Sequence, residues 1–182
     1  MSEQQQILDF WFVETTPNQW FEKNADFDAQ IRTRFLQKWE QAAAGAYDHW
    51  QNDAAGCLAL CILLDQFPRN MFRDDPRAFA TDAKALEIAK HAMAQGFDKA
   101  LGTAERRFVY LPFEHAEDMA MQETSVALFA TMKEDDPIGY EYALKHLEVI
   151  AQFGRFPHRN ASLGRENTAA EDAYLAQPGA GF

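Results

Sequence analysis

Phe27, Ile31, Phe35 and Trp39 stand on every fourth residue. That spacing lines one face of an α-helix. The same helical punctuation recurs along the chain. Asp26 precedes this first stretch, which is expected to end near Gly45. A more apolar stretch runs from about Asp53 to Phe67 and is expected to be cut by Pro68. A third runs from Pro76 or Thr81 to Gln95, with Gly96 placed to close it in a left-handed conformation. Thr103 to Glu114 follows, and a further helix continues to about Met132, with Pro112 expected to kink or separate the two. Asp136-Pro137 pairs a capping side chain with proline at the first helical position, opening a helix that carries Ala143, Leu147 and Ile150 on one side and stops at Gly154. Thr168-Ala169-Ala170-Glu171 is a capping box for a short last helix ended by Pro178-Gly179.

Apolar and polar residues nowhere alternate convincingly and β-branched residues are scarce. The expected fold is therefore all-α, an antiparallel array of about seven to nine helices. With 182 residues, no linker and no low-complexity tract, the chain is expected to form one helical domain over residues 1–182. Fifteen Phe and four Trp supply large flat side chains for its core. An exact 34-residue repeat is absent, so spacing alone does not give a tetratricopeptide array.

The formal net charge of −11 argues against a sequence-independent nucleic-acid or anionic-membrane binder, both of which need a positive field. A small positive pocket within a negative shell remains compatible with it. The opening residues Met1-Ser2-Glu3-Gln4-Gln5-Gln6 carry no secretory signal, and the longest apolar run, Cys57 to Leu64, falls far short of a membrane span. Cytoplasm is the expected location. Cys57 and Cys61, one helical turn apart, read as reduced core thiols.

Two polar segments are chemically informative. One is Leu64-Asp65-Gln66-Phe67-Pro68-Arg69-Asn70, continuing through Arg73 and Arg77; the other is Phe153-Gly154-Arg155-Phe156-Pro157-His158-Arg159-Asn160, continuing to Leu163-Gly164-Arg165. Arg69, Arg73, Arg77, Arg155, Arg159 and Arg165 all lie here, and no lysine does. Solvation alone would be met by lysine, whereas the guanidinium fork grips carboxylate or phosphate bidentately and stacks on aromatic rings. Two readings stay open. The arginines either pair with Asp65, Asp74, Asp75 and capping carboxylates to pin the loops, or converge on an anion. His158, between Arg155 and Arg159, is expected to be a neutral imidazole near pH 7.

A third constellation runs from Phe108 to Ser125. If a helix resumes near His115, then His115, Asp118, Gln122 and Ser125 share one stripe with Met119, Val126 and Phe129, as an internal network or a pocket wall. Glu114, His115, Glu117, Asp118 and His146 are of metal-ligating types. The paired Glu-x-x-His pattern of di-iron bundles is missing, and no metal or other cofactor is expected. His49 and His91 read as surface or packing residues.

The three segments together, with Tyr110-Leu111-Pro112-Phe113, His115 and Glu117 from the third, resemble the bacterial family called domain of unknown function 924. The resemblance extends over nearly the whole chain. It implies a tetratricopeptide-like helical fold; it implies no activity and carries over no catalytic residue.

The leading expectation is a binder of a small anionic metabolite. Arg69, Asn70, Arg155, Arg159, Asn160 and Arg165 are the ligand-binding candidates, with Asp65, Gln66, Asp118 and Gln122 orienting and His158 or His115 transferring protons. The alternatives are a non-enzymatic tetratricopeptide-like module that captures an acidic peptide and a structural subunit that associates with copies of itself.

Overall fold

A computed structural model describes residues 2–181, and no strand occurs among them. The chain divides into two compact units. The first comprises residues 1–73 and 77–112, the second residues 74–76 and 113–182.

In the first unit, α1 (Glu3–Asp9) runs into a wide π-helical turn at Phe10–Glu14, and a capping box at Thr16 and Gln19 opens the short α2 (Pro17–Phe21). The four-residue stripe forms α3 (Ala25–Ala43), with Phe27, Ile31 and Phe35 buried. Its cap is Asn24 rather than Asp26, because the Asn24 side chain accepts the Asp26 and Phe27 N–H groups. Asp53 caps α4 (Ala54–Cys61) through the Gly56 N–H at 2.8 Å.

Pro68 does not cut the next stretch. A second π turn, Ile62–Gln66, lets the Phe67 N–H reach back to the Ile62 carbonyl, and Pro68 then sits in the first turn of α5 (Phe67–Met71). The wider turn opens the hydrogen-bond ladder just before the proline, so its missing N–H is accommodated without ending the helical run. Helix α6 (Asp82–Gln95) ends at Gly96 with φ 70°, as the sequence indicates. Packing of α3 on α5 and of α4 on α6 encloses the aromatic core. There Phe35 lies 4.7 Å from Phe67 and Trp11 lies 5.5 Å from both Phe67 and Phe108, between ring centroids. Rings at these separations gain roughly 0.5–1.5 kcal/mol per pair beyond the area they bury.

Helix α7 (Thr103–Glu114) continues through Pro112 and ends two residues later, so the break before the next helix falls after the proline. The interruption lies at residues 115–118. There the Ala116 N–H bonds to the Phe113 carbonyl, and Asp118 caps α8 (Met119–Ala130) through the Met121 N–H. In the second unit α8 packs along α9 (Pro137–Phe153). Asp136 caps α9 through the Gly139 N–H at 2.9 Å, and Gly154 ends it at φ 69°. A 3₁₀ turn, Pro157–Arg159, and the boxed α10 (Ala169–Leu175) complete the unit. Its core includes Val149, Ile150 and Phe156, flanked by Phe153 and Tyr174.

Candidate functional site

The first arginine segment forms a closed ionic network within the first unit. The π turn brings Asp65, fully buried, one turn from Arg69. Arg69 grips Asp82 bidentately at 2.9 and 3.0 Å, donates to the Asp65 carbonyl at 2.5 Å and lies 3.3 Å from the Asp65 carboxylate. Burial opposes the Arg69 charge, but Asp65 and then Asp82 outweigh it, and the net shift favours the charged form. Gln66 donates to Asp65 at 2.5 Å. Asn70 donates to Asp28 at 2.8 Å, and Arg73 binds the same carboxylate. Arg77 lies over the Phe72 ring at 4.4 Å.

The second segment belongs to the second unit. Arg155 takes both Glu171 oxygens at 2.6 and 2.8 Å, tying the chain after α9 to the start of α10. Arg165 takes both Glu117 oxygens at 2.7 and 2.9 Å, and one of those oxygens accepts the Phe156 N–H at 2.7 Å. Asn160, fully buried, accepts from Arg165 and donates to Asn167, both at 2.8 Å. Hydrogen bonds from these arginines hold the Glu171 and Glu117 carboxyls below their ordinary range, at Glu117 against a burial penalty. Arg155, Asn160 and Arg165 thus fasten the loop.

Arg159 is directed elsewhere. It is buried, lies 4.7 Å over the Phe156 ring and donates to the His115 carbonyl at 3.0 Å. It therefore meets a cluster of imidazoles. The His115 and His146 rings are 6.1 Å apart, and Phe156 lies 5.4 Å from His146 and 5.6 Å from His158. Glu114, from the end of α7, approaches His146 Nδ1 to 3.2 Å. That nitrogen also faces the Tyr142 carbonyl at 2.8 Å. Both neighbours are acceptors, so Nδ1 carries the proton and Nε2 the lone pair. Burial, then His115, push His146 well below the usual imidazole range; the Tyr142 carbonyl opposes this, while Arg159 and His158 add to it. His146 is a neutral imidazole.

Gln122 braces the turn that carries His115. Its Nε2 donates to the carbonyls of Glu114 at 2.6 Å and Ala116 at 2.8 Å, on either side of that histidine. Gln122 and Ser125 are both fully buried on α8, and neither the Gln122 Oε1 nor the Ser125 Oγ has a hydrogen-bond partner. The expected polar stripe is accordingly only half helical. His115 lies in the preceding turn and Asp118 is spent as the cap of α8, so only Gln122 and Ser125 continue on the helix.

Glu114, His115 and His146 each offer a ligand atom, and these atoms lie within 4.8 Å of one another. Of the ligand types named from sequence, Glu117 and Asp118 stand outside that set, being committed to Arg165 and to the α8 cap. The signal for His146 was present in its residue type alone, since its partners come from the distant end of α7. A groove of about 180 Å³, lined by Lys145, Val149, Tyr174 and Pro178 among others, contains none of the expected site residues.

These features define an all-helical protein whose arginine loops are locked by carboxylates, with one imidazole–guanidinium cluster in its second unit. The chain belongs to the bacterial family of unknown function DUF924, which matches residues 7–179. It is similar over its length to a solved structure of a protein of unknown function from Agrobacterium tumefaciens. The two are 40% identical with a TM-score of 0.89, covering 95% of this chain and 96% of the other. No curated protein matches the chain.

Proposed function

We propose that the second unit binds a small anionic molecule, a carboxylate or a phosphate, at the cluster formed by Arg159, His115, His146 and His158. The observation that carries this reading is the placement of buried Arg159, bonded to the His115 carbonyl and within electrostatic reach of His146, beside Gln122, which holds the carbonyls flanking His115. A guanidinium beside the neutral His146 and two further imidazoles offers a charged fork and proton-transfer groups to an anion in a poorly solvated setting, where each contact is stronger than in water. His115 and His158 are the candidates for moving a proton. Arg69, Arg155 and Arg165 hold the fold in this reading and leave the anion to Arg159.

A cytoplasmic location and tetratricopeptide-like stacking of the helices belong to the same proposal. Cys57 and Cys61 are buried and free, and burial raises the Cys57 thiol to about 11, which suits a reducing compartment and structural thiols. No helix among the described residues is long and apolar enough to cross a membrane.

The test is a thermal-shift screen of carboxylates and phosphates on chelator-treated protein, run beside Arg159→Gln and His158→Ala. A ligand at 100 times its Kd stabilises the folded state by about 2.7 kcal/mol. For a chain of this size that is a rise of roughly 5 °C or more. The reading expects a shift in the wild type that Arg159→Gln removes. No shift with any anion, or the same shift in Arg159→Gln, overturns it.

A further inference from the structure

We propose that Glu114, His115 and His146 together bind one divalent first-row transition ion of the zinc type. This goes beyond the anion reading and does not depend on it.

The geometry needs little adjustment. With the ligand atoms no more than 4.8 Å apart, an ion among them need lie no more than about 2.8 Å from any one. Zinc–nitrogen and zinc–carboxylate bonds are about 2.0–2.2 Å, so each side chain closes by roughly 0.7 Å. Two imidazoles and a carboxylate are the donors such ions favour. Calcium and magnesium would ask for an oxygen set that this cluster does not supply.

The surroundings carry the marks of a binding position. The Tyr142 carbonyl, 2.8 Å from His146 Nδ1, orients that ring. A backbone carbonyl on the distal ring N–H is a usual way of orienting a metal-bound histidine. Gln122 clamps both carbonyls that flank His115 and so sets the turn from which that ring projects. The side chains of Glu114 and His146 are 4% and 7% exposed, whereas His115 is half-buried, so the cluster combines a dry floor with one accessible ligand.

A further observation points independently to a ligand. The Gln122 Oε1 and the Ser125 Oγ are buried without a hydrogen-bond partner, which protein interiors seldom tolerate. A water on an ion held by three protein ligands is a strong donor, and the Oε1 of Gln122, whose Nε2 already holds the Glu114 and Ala116 carbonyls, is an acceptor suited to it. An ion of charge +2 beside one carboxylate also leaves net positive charge next to Arg159, which would reinforce anion binding without being required for it.

The experiment uses the full chain, stripped with chelator and dialysed. Zn²⁺ is titrated by calorimetry and Co²⁺ by its visible absorption, in the wild type, His115→Ala, His146→Asn and Glu114→Gln, with circular dichroism confirming the fold of each. His115→Ala, at the accessible ligand in a turn, keeps the test valid if the buried variants misfold. The expected result is one equivalent bound by the wild type, Co²⁺ bands of a site with nitrogen donors, and affinity weakened by roughly 100-fold in His115→Ala. Absence of Zn²⁺ binding by the wild type overturns the proposal. So does equal binding by wild type and His115→Ala, which would place the ion on other histidines. Metal uptake without an anion shift, or an anion shift in chelated protein without metal uptake, separates this proposal from the anion reading.

Discussion

Replacing Arg69 with alanine tests whether the first arginine segment is structural or ligand-binding. The guanidinium makes a two-pronged bond to Asp82, a bond to the Asp65 carbonyl, and a 3.3 Å approach to the Asp65 carboxylate. Asp65 is 1% exposed at its side chain and Asp82 is 18%, so truncation leaves two poorly hydrated carboxylates close together without that cation. Removing one member of a buried pair costs about 3–5 kcal/mol. Arg69 is itself 21% exposed, and water entering the vacated space hydrates Asp82 in part, which places the expected loss near the lower end, about 3 kcal/mol. For a chain of this length that is a fall of about 6–12 °C in Tm. Urea unfolding followed by circular dichroism should show a lower midpoint with an unchanged slope. Arg69→Lys should recover part of the loss, because lysine restores the charge without the planar fork. Anion-induced shifts, measured from the lower baseline, should persist in Arg69→Ala. A loss below about 1 kcal/mol together with an abolished anion response would refute the assignment of Arg69 to the fold.

Gly56→Ala, in α4, should destabilise by about 2 kcal/mol or more in the same unfolding assay, despite alanine's higher helix propensity of about 1 kcal/mol. The reason is that a β-carbon there would stand 1.9 Å from the Trp50 carbonyl oxygen, a backbone atom; a stabilised variant would contradict this packing. Acid should weaken the protein through the carboxylates paired with Arg165 and Arg155. Glu117 and Glu171 titrate lower when folded than unfolded, so their contribution is complete above about pH 5 and is lost as pH falls through the unfolded value near 4.3 toward their folded values. Glu117→Gln should flatten the slope of stability against pH between about 5 and 3; an unchanged slope would mean that the Arg165 pair does not matter in solution.

The helical class, most boundaries and four of the caps could be read from residue order because they are local. The every-fourth-residue apolar face of α3, the Asp136-Pro137 start, the Thr168 box and the glycines at 96 and 154 each act within one or two turns. Reading failed where two local rules competed. Pro68 and Pro112 carry a breaking tendency, but a π turn absorbs the first and α7 runs through the second. Asp118, on the expected stripe, was drawn off by the unsatisfied N–H groups at the start of α8.

Residue order alone shows that six arginines fall in two segments, one of which also holds His158. Packing chooses the carboxylate that these arginines meet, since Asp82, Glu171 and Glu117 reach Arg69, Arg155 and Arg165 only in the folded chain. It also decides that His146, from mid-α9, joins Glu114 and His115 from the end of α7 and the turn beyond it. Side chains that meet across helices are chosen by how apolar faces close on one another, and residue order carries no record of that choice short of the folded core.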